Sequence, residues 1–293
     1  MATKIEWAEE TINPVRTVDG GYHCTKISPG CSMCYAERFN KRFGNGKPFD
    51  AAPTEFVLWK KPLQDVLRWR KPRLVFVQSM GDLFHPDVPY ELLRYVFDIM
   101  RQSHTGNYCR DHTYMVLTKR PERMREFIER LRGDRGPDFN RWPMPWVWLG
   151  VTGENQEQAD KRIPILLQIP TAVRFVSVEP MLGPIILSSQ YYDYLQGWNV
   201  YPEHDPSCDG SCSAGRCPVP VQYETEKLDW VICGTESGPG RRPADIDWIR
   251  SLRGQCVAAA VPFFLKQMEI GGQVVKMPEL DGRTWAEMPE VSR

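Results

Sequence analysis

Residues 74–85 read LVFVQSMGDLFH, and this stretch decides the fold. Four apolar residues open it, a polar cluster closes it, and the following YELLRYVFDIM at 90–100 places apolar residues at helical spacing. A strand that is apolar throughout is typical of a parallel sheet, where helices cover the strand faces. The stretch therefore predicts a β-strand followed by an α-helix, with polar side chains at the point where the strand ends.

The same alternation recurs along the rest of the chain. Further strand-like runs, most of them followed by helix-like runs, lie in TYMVLTKRP (113–121), VWLGVTGEN (147–155), VRFVSVEP (173–180), DWVICGTESGPG (229–240) and PFFLKQ (262–267). With a first strand at 21–25, the six or seven units predict an α/β fold, a partial (β/α)6–7 TIM-like barrel. An open doubly wound sheet is the alternative. We expect a single domain over 1–293 that contains a cysteine-rich insertion at 188–227.

Composition excludes some classes of protein. Lys+Arg and Asp+Glu both number 37, so the formal net charge is zero, which is not typical of proteins that coat nucleic acid non-specifically. No apolar run approaches about 20 residues, and the N-terminus has no secretory pattern, so we expect a cytoplasmic protein without a membrane span. In that reducing compartment, metal ligands or core thiols are the preferred interpretations of cysteines over disulfides. Cys233 and Cys256 lie in apolar runs and are predicted to be core thiols.

Polar residues follow the predicted strands at similar offsets. Because the carboxyl ends of parallel strands meet at one rim, where α/β proteins place their chemistry, we expect these side chains to converge. The set comprises Ser79, Asp82, Glu154, Asn155, Glu179 and Glu236. Any one of them can be a helix cap or a solvated loop residue, but three glutamates at nearly the same offset from a strand indicate a shared site.

Three cysteines crowd the stretch HCTKISPGCSMCYAE at 23–37. Cys24, Cys31 and Cys34 are separated by gaps of six and two residues, and the shorter gap suits two thiolates on one metal centre. A zinc site needs a fourth ligand, whereas a [4Fe–4S] cluster on three thiolates leaves one iron for a non-protein ligand. Unrelated core thiols are the third interpretation, and spacing alone does not separate the first two.

Motifs along essentially the whole chain resemble one known group. They are INPV, SPGCSMCYAER, GDLFH, LTKRPERM, WLGVTGENQ, SVEPMLGPI, ICGTESGPGRRP, FFLKQ and LDGRTWAEMP. Together they resemble a phage-associated, radical-SAM-like three-cysteine family of unknown function, often encoded beside a three-Cys-motif partner protein. The layout is distantly similar to the radical SAM superfamily, in particular its spore photoproduct lyase branch. The chain departs from the usual superfamily pattern, which has three residues in the first gap and an aromatic residue at the position of Met33.

The resemblance implies an enzyme with a barrel of the radical SAM type. Cys24, Cys31 and Cys34 would hold a [4Fe–4S] cluster, and the strand-end residues named above would bind S-adenosyl-L-methionine. The reduced cluster would cleave this cofactor reductively, and the 5′-deoxyadenosyl radical so formed would abstract hydrogen from a substrate. An external one-electron reductant of the flavodoxin or ferredoxin type is implied as a partner, beside the three-Cys-motif protein. The catalytic residues beyond the cluster stay unidentified.

A second cysteine group lies in the insertion. His204, Cys208, Cys212 and Cys217 have the residue types of a tetrahedral zinc site, but an auxiliary cluster or a loop with incidental thiols also fits. Candidate phosphate-binding and base-stacking residues suggest a nucleic acid or nucleotide substrate, with a protein or peptide substrate as the alternative. The candidate residues are Lys119, Arg120, Arg241, Arg242, Trp142, Trp146, Trp148, Tyr191 and Tyr192. The alternative function is a non-enzymatic phage binding module, stabilised by zinc or iron–sulfur, that acts with a partner protein.

Overall fold

The computed structural model describes residues 5–50, 52, 54–105, 110–133, 142–190, 192–201 and 221–290. The helices are α1 (Tyr35–Phe43), α2 (Lys60–Arg68), α3 (Tyr90–Gln102), α4 (Pro121–Gly133), α5 (Gln156–Leu167) and α6 (Ile246–Ala258). The strands are β1 (Glu10–Ile12), β2 (Val15–Thr17), β3 (Phe56–Leu58), β4 (Leu74–Val77), β5 (Thr113–Thr118), β6 (Val147–Thr152), β7 (Val173–Val178), β8 (Tyr192–Asp193), β9 (Trp198–Tyr201), β10 (Val221–Glu224), β11 (Trp230–Gly234), β12 (Phe263–Ile270), β13 (Gln273–Lys276), β14 (Glu279–Leu280) and β15 (Arg283–Thr284).

The centre of the molecule is an eight-stranded, mostly parallel sheet that curls into a half-barrel. Its strand order is β1-β4-β5-β6-β7-β11-β12-β13, so each new parallel strand joins the same growing edge. The final pair, β12 and β13, is antiparallel because Gly271 and Gly272 connect them in a two-residue turn with φ of 56° and 80°. In the insertion, β8, β9 and β10 form a separate three-stranded sheet.

The two faces of the large sheet pack differently. Helices α2 to α6 contribute to one core cluster, on one face. A second cluster, on the other face, contains no residue of the described helices and centres on Trp230, whose ring contacts Trp7, Trp148 and Phe264 edge to face. Helices collect on one face because every crossover leads to the next strand in the same direction. No helix in the described ranges is long and apolar enough to cross a membrane.

The predicted partial (β/α)6–7 TIM-like barrel is wrong. The observed sheet is open, with β1 and β13 at its edges, and β13 runs against its neighbour. Residues 21–25 form no strand, because the amide of Tyr22 binds the Asn40 side chain instead of a neighbouring strand. The first strand of the sheet is β1, which the sequence prediction missed. The doubly wound alternative also fails, since the strand order never reverses.

Candidate functional site

The cysteine loop, residues 22–34, follows the turn after β2 and ends at the start of α1. Cys24, Cys31 and Cys34 are free thiols of intermediate burial, and a short 3-10 turn at Pro29–Cys31 precedes the last of them. Helix α1 begins directly after Cys34. The loop therefore presents three thiols from one connected segment beside the carboxyl ends of the parallel strands, which supply its hydrogen-bond partners.

Asp82 and Arg120 form the first of these supports. Arg120 Nη1 donates to Asp82 Oδ2 at 2.8 Å and to Cys24 Sγ at 3.6 Å, while Nη2 donates to the carbonyl and hydroxyl oxygens of Thr25. Asp82 also accepts from the Thr118 hydroxyl at 2.7 Å. Burial, with the charge of Asp82 adding to it, raises the pKa of the Cys24 thiol to about 11, although the Arg120 guanidinium opposes this rise. A metal cation would reverse that balance, because coordinated thiols lose their proton.

Glu154 forms the second support, and it is fully buried. Its Oε1 accepts from the Ser28 hydroxyl and from the Gly30 amide at 3.0 Å, and its Oε2 accepts from Arg162 at 2.7 Å. Burial opposes ionisation of Glu154, but the charges of Lys119 and Arg162 outweigh it and lower the carboxyl pKa. A Cβ at position 30 would lie 2.9 Å from Glu154 Oε1, so the close approach of loop and carboxylate requires glycine there.

Two further carboxylates on this rim also have cationic partners. Glu236 is bound by Arg242, whose Nη1 also donates to the Pro29 carbonyl of the cysteine loop at 3.0 Å. Glu179 is bound by Lys266. Both members of the Glu179–Lys266 pair keep some exposure, with side chains 19% and 15% accessible. This pair is thus more accessible to a ligand than Glu154, which solvent does not reach.

The strand-end prediction has an uneven outcome. Asp82, Glu154 and Glu236 do meet around the cysteine loop, through Arg120, Ser28 and Arg242 respectively. Ser79 instead donates to Asn13, and Asn155 caps α5 by accepting from the Gln158 amide at 3.0 Å. These contacts give the two residues structural roles, while their binding of a cofactor stays a prediction.

The sequence did not point to Arg162, whereas His85 belongs to the polar cluster that closes the stretch at 74–85. Arg162 lies in α5 and has no strand-end position. His85 contacts the cysteine loop at the Thr25 hydroxyl, 3.1 Å from its Nε2, and at the His23 ring, with ring centroids 5.6 Å apart. The signal for Arg162 was its place eight residues after Glu154, two helical turns into the helix that follows. That spacing returns a side chain toward the strand end only when the helix packs back on the sheet.

The residues proposed for phosphate and base contacts are mostly engaged elsewhere. Arg120 is buried, and Arg241 bonds Glu269 at 2.6 Å. Trp148 belongs to the core, and Trp146 stacks on His104 with ring centroids 3.9 Å apart. Tyr191 and the second cysteine group at His204, Cys208, Cys212 and Cys217 lie outside the described residues. Cys233 and Cys256 are fully buried, which confirms their prediction as core thiols.

Comparison with known proteins assigns the family. The family described as Protein of unknown function (DUF5131) matches residues 2–289. The chain belongs to this family. Neither a curated protein nor a solved structure matches it. The description of the DUF5131 family names no reaction, so the resemblance to radical SAM enzymes stays a prediction.

The described part of this DUF5131 protein contains no group of three or more His, Cys, Asp or Glu side chains that could hold a single metal ion. A mononuclear zinc site needs its ligands to converge on one point at about 2.0–2.3 Å. The three thiols of the cysteine loop do not meet that requirement. A cluster makes a different demand, since each of its thiolates binds a separate iron.

His85 makes the site sensitive to acid. Its Nδ1 accepts from the Asp87 amide, so the proton lies on Nε2, toward Thr25. Burial, with the charge of Arg120 adding to it, lowers the His85 pKa to about 4. As pH falls, the unfolded chain protonates His85 before the folded chain does. The contribution of neutral His85 to the free energy of unfolding is therefore complete above pH ~6.5 and is lost, by roughly 3 kcal/mol, as pH falls through ~4. Urea unfolding at pH 7 and pH 4.5 measures the loss.

The control is His85→Gln, which keeps an acceptor for the Asp87 amide but does not titrate. The variant should show a shallower fall of unfolding free energy between the two pH values than the natural protein. Identical pH dependence in both proteins would contradict the assignment of this acid sensitivity to His85.

Proposed function

We propose that this DUF5131 protein is a radical S-adenosylmethionine enzyme whose Cys24, Cys31 and Cys34 hold a [4Fe–4S] cluster. One observation carries the proposal: a single loop presents three free, partly buried thiols and is held in shape by three strand-end carboxylates. Glu154 binds the loop directly, whereas Asp82 and Glu236 act through hydrogen bonds of Arg120 and Arg242. Core cysteines need no such support. A loop held this firmly suits a group that must be bound in one orientation.

The donor set fits an iron–sulfur cluster in its chemistry. Thiolates are the usual ligands of such clusters, and hydrogen bonds to their sulfurs tune them. The Arg120 guanidinium reaches Cys24 Sγ, and the Ser28 hydroxyl lies 3.6 Å from Cys31 Sγ. Three cysteines leave one iron for a ligand from outside the protein. When bound and reduced, the cluster supplies one electron for cleavage of S-adenosylmethionine, which leads to hydrogen abstraction from a substrate.

The residues of the chain have distinct tasks in this proposal. Arg120 stabilises the negative charge on Cys24 and fixes its sulfur against Thr25. Glu154 holds the turn before Cys31 in place. In the partly exposed Glu179–Lys266 pair, Lys266 offers a cation to the carboxylate of S-adenosylmethionine and Glu179 offers an anion to its amino group. The proposal includes an external one-electron reductant, a three-Cys-motif partner protein and a cytoplasmic location.

Anaerobic reconstitution with iron and sulfide tests the proposal. We expect about four irons per chain, a broad visible absorption that bleaches with dithionite, and release of 5′-deoxyadenosine when S-adenosylmethionine is added to the reduced protein. Absence of iron, or no 5′-deoxyadenosine from a fully loaded sample, would refute it. Zinc bound by Cys24, Cys31 and Cys34 that resists chelation would favour the non-enzymatic binding module.

A further inference from the structure

A cleft of about 350 Å³ opens beside β1, the edge strand of the large sheet. Its volume falls in the range of small-molecule binding sites, about 300–1,000 Å³. Arg16 of β2, Trp59 and Trp69 line it, together with Tyr22, which precedes Cys24 by two residues. The cleft thus shares Tyr22 with the cysteine loop, but none of the three cysteines is among its lining residues.

Arg16 is the organising cation of the cleft. Its guanidinium carbon lies 3.5 Å from the Trp59 ring centroid and 5.0 Å from that of Tyr22, and Nη2 donates to the Tyr22 hydroxyl at 2.8 Å. Its Nε is buried and has no hydrogen-bond partner among the described residues. A buried cationic donor without an acceptor is costly, and an oxyanion at this edge of the guanidinium would remove the cost.

The backbone around Arg16 is fixed before any ligand arrives. Gln78 binds both the amide and the carbonyl of Val15 with its side chain, at 3.1 and 2.9 Å. The Trp59 amide donates to the Pro14 carbonyl at 2.7 Å. Gln78 adopts a φ of 67° to make its contacts, an uncommon conformation for a residue other than glycine. The guanidinium and the Trp59 ring are therefore held in a set relation, and binding would cost little ordering.

Charge at the cleft selects an anion. Three cationic side chains line it, Arg16, Lys61 and Arg68, against the single carboxylate of Asp65, which leaves a net charge of +2. Lys61 and Arg68 are mostly exposed, with side chains 68% and 76% accessible. Because the whole chain has a formal net charge of zero, this excess is a local property of the cleft.

We infer that this cleft binds a nucleoside phosphate, with the base against the Trp59 ring and the phosphate at Arg16. Aromatic rings stack any base, and a guanidinium binds phosphate oxygens in pairs. The source is either a free nucleotide or the end of a single nucleic acid strand, which share this chemistry. The inference goes beyond the proposed function and does not depend on it, since neither Arg16 nor Trp59 contacts the three thiols in the described contacts.

Two probes distinguish the sources: AMP, and a 5′-phosphorylated, fluorescein-labelled DNA of ten nucleotides. We expect saturable binding of at least one of them at low salt, by equilibrium dialysis for AMP and fluorescence anisotropy for the DNA. Trp59→Ala should weaken the binding about tenfold or more, as loss of one stacked ring predicts. Arg16→Gln should weaken it similarly, whereas Trp59→Phe, which keeps a ring, should retain most of it.

Matched controls isolate the cleft from general electrostatics and from the cluster. Arg132→Ala removes an exposed cation from the last turn of α4 and should leave binding unchanged. Cys24→Ala should also bind as the natural protein does, so failure of the proposed function would not mimic failure here. Circular dichroism confirms that each variant is folded. Absence of saturable binding of both probes, or equal affinities in the natural protein, Trp59→Ala and Arg16→Gln, would overturn the inference.

Discussion

Replacing Cys31 with alanine should lower the iron content of the anaerobically reconstituted protein from about four atoms per chain to less than one. Release of 5′-deoxyadenosine should fall by more than about a hundredfold, because loss of an outer-shell partner alone costs about 10–100-fold at metal sites. Cys24→Ala and Cys34→Ala should behave alike. The measurements are iron analysis, visible absorption and chromatography of the nucleoside product.

Cys256→Ala is the matched control for these variants. It removes a thiol that is fully buried in α6, away from the rim, and should keep both iron and cleavage. A triple alanine variant of Cys208, Cys212 and Cys217 separates any metal bound by the insertion from the metal of the cysteine loop. If iron survived in Cys31→Ala but vanished in the triple variant, the cluster ligands would have been assigned to the wrong cysteines.

Arg120 links this prediction to the fold. It lies at the end of β5, yet its guanidinium crosses to the loop after β2 and binds both Cys24 Sγ and Thr25. The sheet brings these segments together although they are 96 residues apart in sequence. Replacing a cysteine therefore removes a metal ligand without removing the network that shapes the loop, and the fold should survive.

Local patterns in the sequence were enough to predict most of the parallel strands of the large sheet and most of the helices. The run at 74–77 forms β4, and the helical pattern at 90–100 forms α3, with Leu93 and Phe97 buried. The edge strands of the large sheet, and whether that sheet closes into a barrel, were not predictable in the same way. Strand β1 has only three residues, too few for a periodic signal, and whether a sheet closes depends on pairing between its first and last strands, which no local pattern encodes.

The site was partly predictable for a related reason. Parallel topology alone places strand-end residues on one rim, so the convergence of Asp82, Glu154 and Glu236 followed from their offsets. Their partners did not follow. Arg162 binds Glu154 from a helix position that carries no motif, and Arg242, which the sequence suggested for phosphate binding, binds Glu236 instead. A carboxylate that the sequence predicts to bind a ligand, such as Glu154, can therefore instead hold the cysteine loop in place.

Glu154→Ala should destabilise the protein by about 3–5 kcal/mol, the cost of leaving a buried partner charge unpaired. Arg162 would lose its carboxylate at a position where its side chain is only 5% accessible. Ser28 and Gly30 would lose their acceptor as well, so the cysteine loop should loosen. Urea unfolding at pH 7 measures the first effect, and the rate at which iodoacetamide alkylates Cys31 under native conditions measures the second, as an increase.

Two substitutions divide these effects. Glu154→Gln keeps an oxygen acceptor for the Gly30 amide but loses the negative charge facing Arg162, so it should be destabilised less and should alkylate more slowly than Glu154→Ala. Glu157→Ala lies one turn further along and breaks an exposed pair with Lys161, where about 0.5 kcal/mol or less is expected. If Glu154→Ala were no less stable than Glu157→Ala, the buried carboxylate would not be the support of the loop. If it were unstable without faster alkylation, the support would act on the core alone, and the shape of the cysteine loop would have to come from Arg120 and Arg242.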